Sequence, residues 1–252
     1  MVEEILPYNS ADDKGEQVRL MFDKIAMGYD RLNRIMSLGL DRSWRKRGVR
    51  WLKQFSPKKV LDVASGTGDI AILLSQELKP ADVTGCDLSE EMMAIGRYKA
   101  GRAEENIVFE YQDCMSLTYP DSSFDAVTAA FGVRNFSNIG QGIAEMYRVL
   151  KPQGHVLILE LSSPQWFPMN VLYRFYSFVV IPLLGRLLSL DDSAYKYLPA
   201  SIEAMPQGGE MTEILAKAGF KETAFKRFTG GVCTMYTGVK ILHPEGLEDL
   251  KI

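Results

Sequence analysis

The residues with the clearest chemical potential sit around a glycine-rich turn. Lys59-Val60-Leu61-Asp62-Val63 has the pattern of a short buried strand, and Ser65-Gly66-Thr67-Gly68 then turns the chain into a helix that opens at Asp69. Gly66-x-Gly68-x-x-Ala71 satisfies the dinucleotide-turn pattern, whose glycines let a ligand approach the backbone closely. Asp87 ends the next strand, where a carboxylate grips a ribose diol. Asp113-Cys114 ends a third, where an acid can accept from an adenine amino group. NAD and S-adenosylmethionine both meet these terms, and charge separates them. NAD places an anionic pyrophosphate at the helix N-terminus. Here Asp62 and Asp69 flank that point, and two carboxylates attract an ammonium and a sulfonium by roughly 1 kcal/mol or more per close pair. The cationic donor is the better fit. Against it stand plainer readings: Asp69 as a helix cap, Asp62 as a solvated strand residue, and Asp113 as an Asx turn.

The elements that must carry these residues alternate. From about Pro57 onward, short apolar runs at 59–63, 82–87, 107–111, 124–130 and 155–161 alternate with helical patterns, the mark of a parallel sheet covered on both faces. Ser89 is placed to cap a helix running to about Lys99, and Lys151-Pro152 stops one that begins near Ile139. Near the end, Ala224–Thr229 and Val232–Val239 flank Gly230-Gly231, which predicts a two-residue hairpin. Two segments fall outside the alternation: a helical stretch at about 14–55 and an aromatic, apolar one at about 165–205. Both are candidate lids on a single domain spanning 1–252.

Composition narrows the function. A chain of 252 residues that is 46% hydrophobic and 24% charged can bury one full α/β core. With 29 basic against 32 acidic residues the formal net charge is −3, which disfavours nucleic acid as the main partner. Three cysteines without ligand spacing and two histidines, His155 and His243, predict no disulfide framework and no metal site. His155, in an apparent strand, is expected to be structural. The N-terminus lacks the pattern of a signal peptide, so a reducing, cytoplasmic setting is expected.

Longer motifs add a resemblance. Val60-Leu61-Asp62-Val63-Ala64-Ser65-Gly66-Thr67-Gly68-Asp69 resembles motif I of class I S-adenosylmethionine-dependent methyltransferases. Tyr29-Asp30-Arg31-Leu32-Asn33 with Met36-Ser37-Leu38-Gly39, Phe131-Gly132-Val133-Arg134-Asn135-Phe136, and Tyr147-Arg148-Val149-Leu150-Lys151-Pro152 resemble the ubiquinone/menaquinone biosynthesis C-methyltransferase family (UbiE/MenG), from about Val18 to Lys240. The resemblance implies a mostly parallel, seven-stranded Rossmann-like sheet with helices on both faces and a C-terminal antiparallel hairpin. It implies C-methylation of a prenylated quinol, with demethylmenaquinol favoured over a ubiquinol precursor, and S-adenosylhomocysteine as product. Expected cofactor contacts are Asp62, Gly66, Thr67, Gly68, Asp87, Leu88, Asp113, Cys114 and Ala130. Ala130 is a departure, because the family often has serine there.

Methyl transfer from a sulfonium is an in-line displacement that needs positioning rather than a metal. The quinol ring carbon becomes nucleophilic when a ring hydroxyl ionises. Arg134, Asn135 and Tyr29 are the expected catalytic residues: Arg134 stabilising the phenolate and placing a water, with Tyr29 and Asp30 on the substrate side, the plainer readings being Asp30 as a helix cap and Tyr29 in the core. An NAD-dependent oxidoreductase, a binding protein without chemistry and an RNA methyltransferase are the competing classes.

The apolar run at 178–184 is too short to span a bilayer, which needs ~20 residues, and Arg174, Pro182 and Arg186 interrupt its surroundings. An interfacial groove for the prenyl tail is expected there, with a core cover or a homodimer contact as alternatives. Arg42, Arg45, Lys46, Arg47, Arg50 and Lys53, interleaved with Trp44, Trp51, Leu52 and Phe55, form a basic cluster suited to anionic headgroups, with a plain solvated face or RNA as alternatives.

Overall fold

The computed structural model describes residues 2–181, 183 and 192–241. Pro182, Arg186 and His243 lie outside them, as does most of the second half of the 178–184 run. Seven strands make one sheet: β1 (Lys59–Val63), β2 (Asp82–Asp87), β3 (Ile107–Tyr111), β4 (Phe124–Ala130), β5 (Leu150–Leu161), β6 (Lys221–Phe228) and β7 (Cys233–Val239). Their order is β3-β2-β1-β4-β5-β7-β6, with β7 antiparallel to both neighbours and the other pairings parallel. The expected α/β sheet is therefore present, and the chain reverses direction across it between β1 and β4, the place where such sheets bind ligands.

The two faces are built by period-two alternation. Leu61, Val63, Val156 and Ile158 face α5 (Ile139–Val149) and α8 (Gly209–Lys217), while Val60, Val83, Leu157 and Leu159 face α2 (Leu40–Lys53), α3 (Asp69–Glu77) and α4 (Glu90–Arg102). Polar caps set the helix starts: Asp13 accepts from the Glu16 amide at the head of α1 (Lys14–Met36), Ser89 from Met92, and Asn138 from Gln141. Of the N-terminal segment, α2 belongs to the helical layer, with Trp44, Val49 and Leu52 in the core. The long α1 instead reaches the loops at the C-terminal ends of the strands, where Ser89 donates to Asp23 at 2.6 Å and Thr67 to Asp30. The 165–205 segment contains α6 (Met169–Phe175), a π-helical turn (Tyr176–Val180) and α7 (Asp192–Ala204).

Two local expectations need correction. The β6–β7 connection is not a two-residue hairpin, because a short 3-10 turn over Thr229–Gly231 intervenes, with Gly230 left-handed. And Arg45 is not part of the exposed basic face. The core-facing stripe of α2 runs through Asp41, Trp44, Arg45, Val49 and Leu52, leaving Arg42, Lys46, Arg47, Arg50 and Lys53 in solvent.

The loops after β1 and β4 press together at the reversal. Ala64 and Phe131 both adopt positive φ, 53° and 62°, a strain that clusters at functional sites. A Cβ on Gly132 would lie 2.7 Å from the Ala64 Cβ, so this crossing admits only glycine without displacement. Gly132→Ala should therefore lower stability by about 1–3 kcal/mol, read as a drop in the urea midpoint without change of slope.

Candidate active site

A cleft of about 400 Å³ opens over the C-terminal ends of β1, β2 and β4. Gly66, Thr67, Asp87, Leu88, Asp113, Cys114, Ala130, Asn135 and Tyr29, all singled out in the sequence, line it. The loop geometry explains the gathering. The Gly66 amide donates to Asp87 Oδ2 at 2.8 Å and the Ser89 amide to Oδ1 at 2.9 Å, so the carboxylate pins the turn after β1 to the start of α4. Burial lifts the Asp87 carboxyl above its ordinary range, against the pull of those amides. Ser65 also lines the cleft, with its Oγ buried beside Gly85 of β2 and without a hydrogen-bond partner among the described residues.

Two expected contacts do not line the cleft. Gly68, at φ 75°, faces the Phe109 ring, which a Cβ would meet at 2.7 Å. Asp62 lies beneath the turn on β1, fully buried rather than solvated. Its Oδ1 accepts from the Thr128 hydroxyl at 2.7 Å and its Oδ2 has no partner among the described residues. Burial raises its carboxyl from 3.8 to about 7.

The charge argument for Asp69 also changes. Its carboxylate lines the cleft but is already ion-paired with Lys99 and lies 3.7 Å from Arg45. Burial would raise it, yet Arg45 and Lys99 outweigh burial and hold it low. Lys99 also binds Asp30 at 2.6 Å, and Arg45 binds Asp41. Asp30, Lys99, Asp69, Arg45 and Asp41 thus form one chain of alternating charge that fixes α1 and α2 to the cofactor-type turn.

A second cavity of about 240 Å³ adjoins the first and is mostly apolar, with Trp44, Leu161, Met169, Tyr176, Ile181, Leu198 and Val232 among its walls. Tyr29, Arg45 and Phe131 line both cavities. Arg134 lines the apolar one and is 5% exposed. Its guanidinium donates to Glu160 at 2.7 Å and to the Phe131 carbonyl, and its amide donates to the other Glu160 oxygen at 3.1 Å. Burial alone would disfavour the charge, but the Glu160 carboxylate holds the guanidinium above its ordinary range. Tyr197 donates to Asn135 Oδ1 at 3.1 Å, tying α7 to the loop after β4. His155 is remote from both cavities and stacks on Phe55.

Sequence reasoning missed Glu160, Lys99, Tyr197 and the role of Arg45. Two of these carried signals: Glu160 interrupts the apolar run Val156-Leu157-Ile158-Leu159, and Asp41 and Arg45 fall on the buried stripe of α2.

Two measurements follow. Glu160→Gln should destabilise by about 3–5 kcal/mol in denaturant titration, because it strands the Arg134 charge in the interior. For Asp62 the folded chain retains a proton that the unfolded chain has released between about pH 4 and pH 7, so stability falls as pH rises through that window. Asp62→Asn should flatten this slope and gain about 2–4 kcal/mol on wild type at pH 8 relative to pH 4.

Comparison with known proteins agrees with this geometry. Residues 10–240 match the ubiE/COQ5 methyltransferase family. A demethylmenaquinone methyltransferase of Bacteroides fragilis is 51% identical over 94% of this chain and 98% of its own length. One from Porphyromonas gingivalis is 48% identical over 94% and 98%. A ubiquinone/menaquinone biosynthesis C-methyltransferase of Geobacter sulfurreducens is 43% identical over 90% of each. Among solved structures, the [4+2]-cyclase SpnF (TM-score 0.65, 18% identity, covering 91% of this chain and 97% of that one) and a SAM-dependent methyltransferase from Aquifex aeolicus (0.56, 20%, 77% and 89%) share the fold. With a match across nearly the whole chain and a Rossmann-like sheet carrying the matching turn, the protein belongs to the ubiE/COQ5 methyltransferase family.

Proposed function

We propose that the protein transfers a methyl group from S-adenosylmethionine to a ring carbon of a prenylated quinol, converting demethylmenaquinol to menaquinol and leaving S-adenosylhomocysteine. One observation carries this reading. A cleft with polar acceptors and an apolar cavity with a buried guanidinium meet at Tyr29, Arg45 and Phe131, as a polar donor and a lipid-like acceptor require. The names of the Bacteroides and Porphyromonas relatives favour demethylmenaquinol over a ubiquinol precursor.

The residues present fit the donor. Asp87 suits the ribose diol, Asp113 an adenine amino group, and the backbone of Ser65, Gly66 and Thr67 its polar atoms, while Leu88, Cys114 and Ala130 supply walls. Asp62 and Gly68 act indirectly, by shaping the turn from beneath. When bound, the donor supplies an electrophilic methyl on a positive sulfur. The chain's own task is orientation, water exclusion and charge. The apolar walls make an ionised quinol costly unless positive charge is near, and Arg134, anchored by Glu160, adds positive potential to the cavity and a place for the water that takes the proton. Tyr29 holds the ring side of the junction, Asn135 lines the donor cleft, and α1 covers the cleft. No step in this reading calls for a metal.

Among the described residues no helix is long and apolar enough to cross a membrane. We place the protein at the cytoplasmic surface of the bilayer instead. Leu38 and Phe167 are 80% and 79% exposed, and Val171, Leu172, Phe175 and Val179 are also exposed. Leu38, Leu40, Met169 and Tyr176 line the apolar cavity from the same side, and the Tyr176 hydroxyl donates to the Met36 carbonyl at 2.9 Å. The prenyl tail would leave there, toward lipid, with the exposed cations of α2 facing anionic headgroups.

In calorimetry S-adenosylhomocysteine should bind and NAD should not. Arg134→Ala should lower turnover of demethylmenaquinol at least 100-fold, at about unchanged S-adenosylhomocysteine affinity, in a mass-spectrometric assay of the methylated quinone. In flotation the protein should rise with liposomes containing anionic lipid and be released by salt. Leu38→Asp with Phe175→Asp should abolish flotation, and flotation unaffected by both changes would remove this face from the interaction.

A further inference from the structure

Arg45 is a cation placed where a stability argument does not put one. It is 7% exposed on the core-facing stripe of α2, and its partner Asp41, one turn earlier, is 4% exposed. On a helix surface such a pair contributes about 0.3–0.5 kcal/mol, and burying it costs more than the attraction returns. Its Nε has no hydrogen-bond partner among the described residues, and its guanidinium lies 5.0 Å over the Phe131 ring. With Tyr29 and Phe131 it lines both the donor cleft and the apolar cavity, whereas Arg134 lines the apolar cavity and not the donor cleft.

That difference in position assigns a role. The carbon that receives the methyl must lie where the two cavities meet, and the ring oxygen whose ionisation activates it is on the neighbouring carbon. Among the described residues two guanidiniums, Arg45 and Arg134, line the apolar cavity, and of these two Arg45 also borders the cleft. We infer that Arg45 is a further catalytic residue, the cation that holds the ring oxygen adjacent to the methylated carbon as an anion during methyl transfer. This rests on the quinol-methylating reading above. The ring hydroxyl gives its proton to water, and the adjacent carbon forms its bond to the methyl as the methyl–sulfur bond breaks and leaves its electron pair on sulfur. The hydrogen on that carbon then moves as a proton to the oxygen, restoring the aromatic ring, so one proton is released per turnover. Asp41 and Asp69 both approach the guanidinium at Nη1, Asp41 bonded directly and Asp69 at 3.7 Å. Its charge also lowers the titration of the buried Tyr29, Asp62 and Cys233.

The test compares Arg45→Met and Arg45→Lys with wild type in the full chain. At saturating donor, Arg45→Met should lower kcat about 100- to 1000-fold and Arg45→Lys should recover most of it, with S-adenosylhomocysteine affinity within threefold throughout. Independently, 4-methoxy-1-naphthol in the complex with S-adenosylhomocysteine should ionise at least one pH unit lower than in water. That depression, followed by naphtholate absorbance, should persist in Arg45→Lys and vanish in Arg45→Met. If Arg45→Met does not fold, Arg45→Gln takes its place in both measurements. Unchanged kcat and an unchanged naphthol midpoint in the neutral variant would overturn the inference. So would a loss confined to donor affinity, which would make Arg45 a support for Asp69 only. Absence of wild-type turnover would overturn the quinol reading and this inference together, whereas wild-type turnover with an unaffected variant overturns this inference alone.

Discussion

A charge taken out of water must meet an opposite charge or a fixed dipole, and this requirement organises the centre of the molecule. Arg134 is held against Glu160 and the Phe131 carbonyl, and Arg45 against Asp41 with Asp69 nearby. Phe131 touches both arginines, one over its ring and one at its carbonyl. Its left-handed backbone, directly after β4, is the strained point around which the two buried pairs are arranged. The result is an apolar cavity whose electrostatic field is set in advance by side chains that cannot reorient without stranding a charge.

The same ion pairs do mechanical work. Asp30 on α1, Lys99 on α4, Asp69 at the head of α3 and Arg45 on α2 share one network, so the helices that precede the sheet are fastened to the turn that follows β1. Thr67 adds a hydrogen bond from that turn to Asp30. The cleft and the apolar cavity therefore share walls, and a change at one is felt by the other through Tyr29, Arg45 and Phe131.

Much of the fold was legible because its signals are local. The runs 59–63, 82–87, 107–111 and 124–130 coincide with β1 to β4. The central β1 and β4 are almost wholly buried and mostly apolar, and polar residues or turns bound each run, whereas the edge strand β3 exposes Val108 and Tyr111. Ser89 caps α4 because a hydroxyl at that position satisfies an otherwise orphan amide. The β6–β7 turn was misjudged, because Thr229 and Val232 take part in a short helical turn that Gly230-Gly231 does not announce. Arg45 was misjudged for a different reason: a basic residue among basic residues reads as solvent-facing, and only its phase on the helix separates it from Arg42 and Lys46.

By itself the sequence determined the alternation of strands and helices, the glycine turn with its acids at successive strand ends, and the motifs that place the chain in its family. These are properties of spacing along the chain. Tertiary structure decided which charges are buried and with what they pair: Asp69 is already matched by two cations, Asp62 lies below the turn, and Glu160 and Lys99 enter from distant strands and helices. The physical reason is that desolvation and pairing depend on distances between residues far apart in sequence, such as Lys99 with Asp30 or Arg134 with Glu160, and no local pattern encodes them.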